Sequence, residues 1–211
     1  MINQFIQFIK HEATTVVVAG SKDDPIFPIH NPDVFVGAHG GIFHAERFPD
    51  TTLKCGIVSN WLLCRRAEYC NTVRSLIKDV NLDLLIVIEH ISSVHEDIDP
   101  SSLVRVDGTF VLRLSSLQCT MLELKYLGFQ YLYHLILVLP PRKILGFLLQ
   151  VLKEKTSYLT RLSTGMFSAL YFYNLLSGNS KLSISGIGLQ LSGSYFFDKS
   201  IKMKKAGHFS Q

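Results

Sequence analysis

Short runs of apolar and β-branched residues recur along the chain, and most of them end at glycine or a small polar residue. Thr14–Gly20 is the clearest run. It is apolar on both faces, as a central strand of a parallel sheet must be, because helices cover such a strand on each side. Similar runs predict further strands at Asp33–Gly37, Lys54–Ser59, Leu82–Glu89, Leu135–Leu139 and Lys181–Gly186.

Stretches with helical periodicity lie between these runs, at Leu62–Val80, Leu117–Gly128, Ile144–Lys155 and Thr164–Leu176. Strands that alternate with helices of this length predict the α/β class, with a mostly parallel sheet flanked by helices in one domain over residues 1–211. Asp97–Asp107 is interpreted as a loop or the start of another strand. In such sheets, ligands bind outside the carboxyl ends of the strands, so the residues directly after each run are the candidates for function.

Composition and charge exclude several classes of protein. The chain has 211 residues, of which 47% are apolar and 18% charged, with a formal net charge of +4. These values exclude disorder and disfavour a dedicated nucleic-acid binder. The charged fraction lies below the roughly 25% of ordinary soluble domains, which favours a buried sheet, a membrane contact or a homo-oligomer interface. Four lysines and one aspartate lie in the last 14 residues, so most of the positive charge is local.

The spacing of the cysteines and the composition of the most apolar stretch bear on the cellular compartment of the protein. The four cysteines lack zinc-binding spacing, which indicates reduced, structural thiols in a cytoplasmic protein without a metal or cofactor. The first residues lack the basic and apolar regions of a signal peptide. Leu127–Leu152 contains no window apolar enough to span a bilayer, and we interpret it as a strand, a turn and an amphipathic helix. The alternative is an interfacial patch that rests on the inner membrane.

Three predicted strands are followed by residues that could take part in binding or catalysis. Gly20-Ser21 forms a turn whose amides could approach an anion, although any tight turn after a strand has this composition. Ala38-His39 lies among three glycines, which leave an imidazole accessible. A metal site formed with His30 and His44 is disfavoured because the spacing is irregular. Glu89-His90 could serve acid–base chemistry, but a solvated loop is preferred there.

The helix predicted to begin at Ser163-Thr164-Gly165 has the most informative local pattern. Serine or threonine at a helix N-terminus caps free amides, and that terminus attracts anions. Arg161 lies just upstream. Gly186-Ile187-Gly188 ends the next predicted strand, and a segment with Tyr195 and several lysines follows it.

These segments resemble bacterial sialyltransferases of glycosyltransferase family 42 and, more distantly, animal sialyltransferases and Kdo transferases. The similarity rests on short matches in the same order, of which Ser163–Gly188 is the most specific. The matching segments are Val16–Ser21, Asp33–Phe35, Ser163–Met166, Ile184–Ile187 and Gly207-His208.

The resemblance implies a Rossmann-like nucleotide-sugar-binding domain, with residues 189–207 as a lid. It also implies transfer of a sialic-acid-like sugar from a CMP-activated donor to a glycan or glycolipid, in lipooligosaccharide or capsule biosynthesis. His208 would be the general base of an inverting reaction, as a neutral histidine can be near pH 7. The residues implied in donor binding are Gly20, Ser21, Ala38, His39, Arg161, Ser163, Thr164, Gly165, Gly186, Ile187, Gly188 and Tyr195.

Two alternatives remain open at this point. One is a CMP-Kdo donor. The other is a catalytically silent relative that binds or assembles components of a surface polysaccharide system, because Ser21 and Ala38-His39 stand where the family usually has asparagine. A dinucleotide-dependent oxidoreductase is disfavoured, since no G-x-G-x-x-G fingerprint follows the first strand.

Overall fold

A computed structural model supplies the three-dimensional description of the chain. It describes residues 2–22, 25–60, 62, 68–89, 109–115, 118–119, 121–123, 125–126, 163–187, 194–195 and 198–202.

A parallel sheet of six strands forms the centre of the described part of the chain. Its strands run in the spatial order β5-β4-β3-β2-β1-β6. The chain therefore adds strands in one direction from β1 to β5 and then returns to place β6 on the other side of β1. The strands are β1 Thr15–Ala19, β2 Val34–Ala38, β3 Leu53–Ser59, β4 Leu84–Ile88, β5 Phe110–Leu114 and β6 Lys181–Ser185.

Helices cover both faces of this sheet. The 3-10 helix His39–Arg47 and α2 (Glu68–Ile77) pack on one face, while α1 (Ile2–His11) and α3 (Thr164–Tyr173) pack on the other. Two short antiparallel strands, β7 (Ser194–Tyr195) and β8 (Asp198–Lys202), lie within the predicted lid segment. The Rossmann-like α/β fold predicted from the sequence is confirmed.

The alternation of side chains along β1 explains why its residues form a central strand. Val16 and Val18 enter one core cluster, whereas Val17 and Ala19 enter the cluster on the opposite face. All four side chains are at most 1% exposed. Full burial of a valine side chain contributes roughly 1.5–3 kcal/mol to the stability of the fold. A strand that is apolar on both faces gains this energy on both only where helices cover the two faces of the sheet.

Five of the described elements were not predicted from the sequence. They are the edge strand β5, the helix α1, the 3-10 helix and the two short strands β7 and β8. Strand β5 escapes the pattern because it lies at the sheet edge, where Phe110 and Val111 are partly exposed and Arg113 interrupts the run. The predicted elements Leu135–Leu139 and Ile144–Lys155 lie outside the described residues, as does the proposed interfacial patch.

The cysteines in the described part of the chain, Cys55, Cys70 and Cys119, are buried thiols that form no disulfide. Burial and the nearby charge of Asp83 raise the pKa of the Cys55 thiol well above its usual value. Cys64 lies outside the described residues. None of the described helices is both long enough and apolar enough to cross a bilayer.

Asp33 fastens the amino ends of β1 and β2 together. Its Oδ2 atom accepts hydrogen bonds from the amides and hydroxyls of Thr14 and Thr15, at 2.8–3.0 Å. Burial raises the pKa of the Asp33 carboxyl, but these hydrogen bonds outweigh that effect and hold the pKa below its usual value. Asp83 plays a similar part between β3 and β4, where it accepts from the Lys54 amide at 2.7 Å. At the amino edge of the sheet, these carboxylates thus have a structural role, since they link neighbouring strands by hydrogen bonds.

Asp33→Ala is expected to lower the free energy of unfolding by about 2 kcal/mol, because hydrogen bonds to a charged group contribute roughly 1.5–3 kcal/mol. Asp33→Asn keeps an acceptor oxygen without the charge and should cost less. Urea denaturation at pH 7 measures both variants. Equal stability of Asp33→Ala and the wild type would contradict the role assigned to this carboxylate.

Candidate functional site

The carboxyl ends of β1 and β6 meet through backbone contacts between two glycines. The Gly20 amide donates to the Ser185 carbonyl at 2.8 Å, and the Lys22 amide donates to the Gly186 carbonyl at 2.9 Å. Gly186 has φ +62°, a left-handed conformation that glycine adopts without strain. A Cβ atom on Gly20 would lie 2.3 Å from the Gly186 oxygen. The two strand ends therefore touch, at the point where the strand order reverses.

The end of β2 joins this contact from the other side. Ser21 Oγ donates to the Ala38 carbonyl at 3.3 Å, which links the turn after β1 to the last residue of β2. The 3-10 helix then packs directly on β1, since a Cβ atom on Gly41 would lie 2.3 Å from the Ala19 carbonyl oxygen. Gly37 and Gly41, on either side of His39, thus serve close packing of the backbone.

His39, the first residue of the 3-10 helix, is the polar centre of the site. Its Nε2 atom lies 2.8 Å from Thr164 Oγ1 and 3.2 Å from Ser59 Oγ, and its Nδ1 atom lies 3.5 Å from the Tyr69 hydroxyl oxygen. The residue is only 7% exposed. Burial lowers the pKa of the His39 imidazole to about 4, so the ring is neutral at pH 7.

The N-terminus of α3 lies on the remaining side of the cluster around His39. Ser163 is the N-cap, and its Oγ accepts a hydrogen bond from the Met166 amide at 3.3 Å. Thr164, the first helical residue, turns its hydroxyl to His39. The space beside Gly165 is taken by Ile187, whose side-chain atoms would lie 3.2–3.3 Å from an added Cβ. Gly165 thus gives room to Ile187, the second residue after β6, whereas the resemblance implied that this glycine binds the donor.

Most of the predicted site residues that the structure describes belong to this one cluster. It brings together Gly20, Ser21, Ala38, His39, Ser163, Thr164, Gly165, Gly186 and Ile187. Tyr195 lies in β7, and only its place in that strand is described. Arg161, Gly188 and His208 lie outside the described residues.

Sequence reasoning missed Ser59 and Tyr69, two further partners of the His39 ring. Ser59 is fully buried and ends β3. Residues at the carboxyl ends of the strands were the candidates elsewhere in the sheet, and the same criterion selects Ser59. Tyr69 belongs to α2, where it resembles any partly buried helix residue, so the sequence carries no signal for its role.

Charged groups elsewhere form no comparable cluster in the described ranges. No set of three histidine, cysteine, aspartate or glutamate side chains is placed there to hold a metal ion. Glu89, considered above for acid–base chemistry, lies 3.5 Å from Arg113 in a half-exposed ion pair. His90 lies outside the described residues.

A cavity of about 450 Å³ lies at the opposite, amino edge of the sheet. Its walls are largely apolar and include Phe5, Phe8 and Phe110, and its carboxylates, Asp50 and Asp83, both bond to Lys54. None of the predicted ligand-binding residues lines this cavity. The carboxyl edge, where parallel sheets of this topology bind ligands, remains the candidate site.

Comparison with known proteins adds no relative to this description. No protein-family model, curated protein or solved structure matches the chain. Because one α/β fold supports many activities, function has to be argued from the cluster around His39 and Thr164.

Proposed function

We propose that this chain is a glycosyltransferase that transfers a sialic-acid-like sugar from a CMP-activated donor to a glycan or glycolipid acceptor. The donor would bind at the carboxyl edge of the sheet, between the turns after β1 and β6 and the N-terminus of α3. The proposal combines the resemblance of the motifs with their placement in the fold.

The observation that carries the proposal is the hydrogen bond between His39 and Thr164. These residues are 125 positions apart, and their contact joins the end of β2 to the start of α3. The contact between Gly20 and Gly186 adds the ends of β1 and β6. Segments chosen from the sequence as nucleotide-binding thus share one edge of the sheet, at the reversal of strand order where α/β proteins bind nucleotides.

The chemistry of this edge suits an anionic ligand. Free amides and the helix dipole at the start of α3 attract negative charge, and the hydroxyl of Thr164 lies in the first turn. A donor with a phosphate and a carboxylate, such as a CMP-linked sialic acid, matches these groups.

The acceptor half of the reaction rests on the resemblance alone. His208 would take the proton from the acceptor hydroxyl as the glycosidic bond to CMP breaks, with inversion at the anomeric carbon. The lysines near the C-terminus would favour an anionic donor or acceptor by charge.

The test is release of CMP from CMP-sialic acid, with CMP-Kdo as the second donor. We expect the wild type to release CMP from one donor, and His208→Ala to lower the rate by about 10²–10⁴-fold, the usual contribution of a general base. Binding of CMP, measured by calorimetry, should be nearly unchanged in His208→Ala. His11→Ala, on the surface of α1, is the matched control and should leave both measurements unchanged.

The outcomes separate the candidate functions. Release only from CMP-Kdo would replace the donor in the proposal. Binding of CMP without release from either donor, in folded protein, would favour the catalytically silent relative. Failure to bind CMP at all would overturn the proposal.

A further inference from the structure

His39 is held in an unusual backbone conformation at the meeting point of β2, β3 and α3. Its φ of 51° lies in the left-handed region, which a residue with a side chain occupies at a cost of order 1 kcal/mol. Strain of this kind persists where surrounding contacts over-determine the conformation. At His39 those contacts include the hydroxyl groups of Thr164, Ser59 and Tyr69.

A neutral imidazole carries one N–H, and its position decides what Thr164 can do. With the proton on Nε2, the ring donates to Thr164 Oγ1 and to the more distant Ser59 Oγ, while Nδ1 accepts from the Tyr69 hydroxyl. The contacts to these three hydroxyls are then satisfied at once. With the proton on Nδ1, a hydroxyl of Thr164 or Ser59 must turn its own hydrogen to Nε2, and only one of them can do so.

The hydroxyl of Thr164 is also placed to serve a ligand, because it lies in the first turn of α3. Ser163 Oγ accepts from the Met166 amide as the N-cap, so its position is set by the cap and not by His39. If Thr164 Oγ1 accepts a hydrogen bond from the ring, its own hydrogen is left to point elsewhere. An anionic oxygen at the helix N-terminus is the natural acceptor for it.

We propose that His39 is a positioning residue: its Nε2–H donates to Thr164 Oγ1 and so directs the Thr164 hydroxyl hydrogen to an anionic oxygen of the donor. This inference rests on the proposed function and deepens it. His39 then acts through Thr164, with Tyr69 and Ser59 fixing the plane of the ring.

A double-mutant cycle on CMP binding tests the proposal. We expect His39→Leu to weaken binding about tenfold and Thr164→Val to weaken it at least as much. His39→Leu combined with Thr164→Val should bind no more weakly than Thr164→Val alone, because His39 would act only through that hydroxyl. His39→Gln should retain most of the affinity, since its side-chain amide can donate from a position near that of Nε2. Thermal unfolding verifies that each variant is folded.

Nitrogen NMR of the histidine side chains gives a second measurement, which is made on the wild-type protein itself. The His39 signals, assigned by their loss in His39→Gln, should be those of a neutral ring protonated on Nε2. A ring protonated on Nδ1 overturns the proposal, and so do additive losses in the cycle or an unchanged affinity of His39→Leu. A wild type that does not bind CMP overturns the proposed function and this role with it.

Discussion

Gly20→Ala is expected to lower the free energy of unfolding by about 3 kcal/mol or more and to abolish CMP binding. The added Cβ would lie 2.3 Å from the Gly186 carbonyl oxygen and 2.9 Å from the carbon of the same group. Both atoms are backbone, so no side chain can rotate away. Relief requires β1 and β6 to separate, which stretches the bond from the Gly20 amide to Ser185. Overpacking of flexible neighbours alone typically costs 1–3 kcal/mol.

Gly178→Ala is the matched control for this prediction. Gly178 lies in the turn between α3 and β6, and a Cβ atom there would meet no atom within 4 Å. We expect its stability to change by no more than about 0.5 kcal/mol. Urea denaturation and CMP calorimetry on the two variants are the measurements. A Gly20→Ala protein as stable as Gly178→Ala would show that the strand ends are farther apart than described.

The strands at the centre of the sheet could be predicted because their environment is simple. Runs such as Val16–Ala19 and Leu84–Ile88 are buried on both faces, so one rule, apolar at every position, identifies them. Strand β5 has a mixed environment with Arg113 at the surface, and no such rule applies to it. In α1, the core residues Phe5, Phe8 and Ile9 have the helical spacing i, i+3, i+4, so the sequence does contain a signal for this helix.

The site was predictable by its position along the strands, and its contacts were not. Inspection of the carboxyl ends selected Gly20 and His39, and the capping pattern of a predicted helix selected Thr164, as separate candidates. Their association depends on the return of the chain to β6 and on the packing of α3, which bring together residues 125 positions apart. The burial of His39 also depends on this packing, since its sequence context of glycines favours an accessible ring.

Acidification from pH 6.5 to 4 is expected to lower the free energy of unfolding by about 3 kcal/mol for each of two buried histidines. Burial lowers the pKa of His39 from 6.5 to about 4. Burial and then the charge of Arg47 lower the pKa of His44 to about 4 as well. Between these pH values the unfolded chain binds protons that the folded protein does not, so stability falls as pH falls. Each pKa unit corresponds to about 1.4 kcal/mol.

Substitutions separate the two histidines in urea denaturation between pH 4 and 7.5. His44→Phe retains the ring beside Phe27, 5.2 Å away between centroids, and removes one titrating group. His39→Gln removes the other. Each variant should lose about half of the pH dependence, whatever its stability at pH 7, and the double variant nearly all of it. Asp33 cannot imitate this result, because its carboxyl, with a pKa below 3.8, destabilises the fold only in stronger acid. An unchanged slope in both variants would mean that neither imidazole is as buried as described.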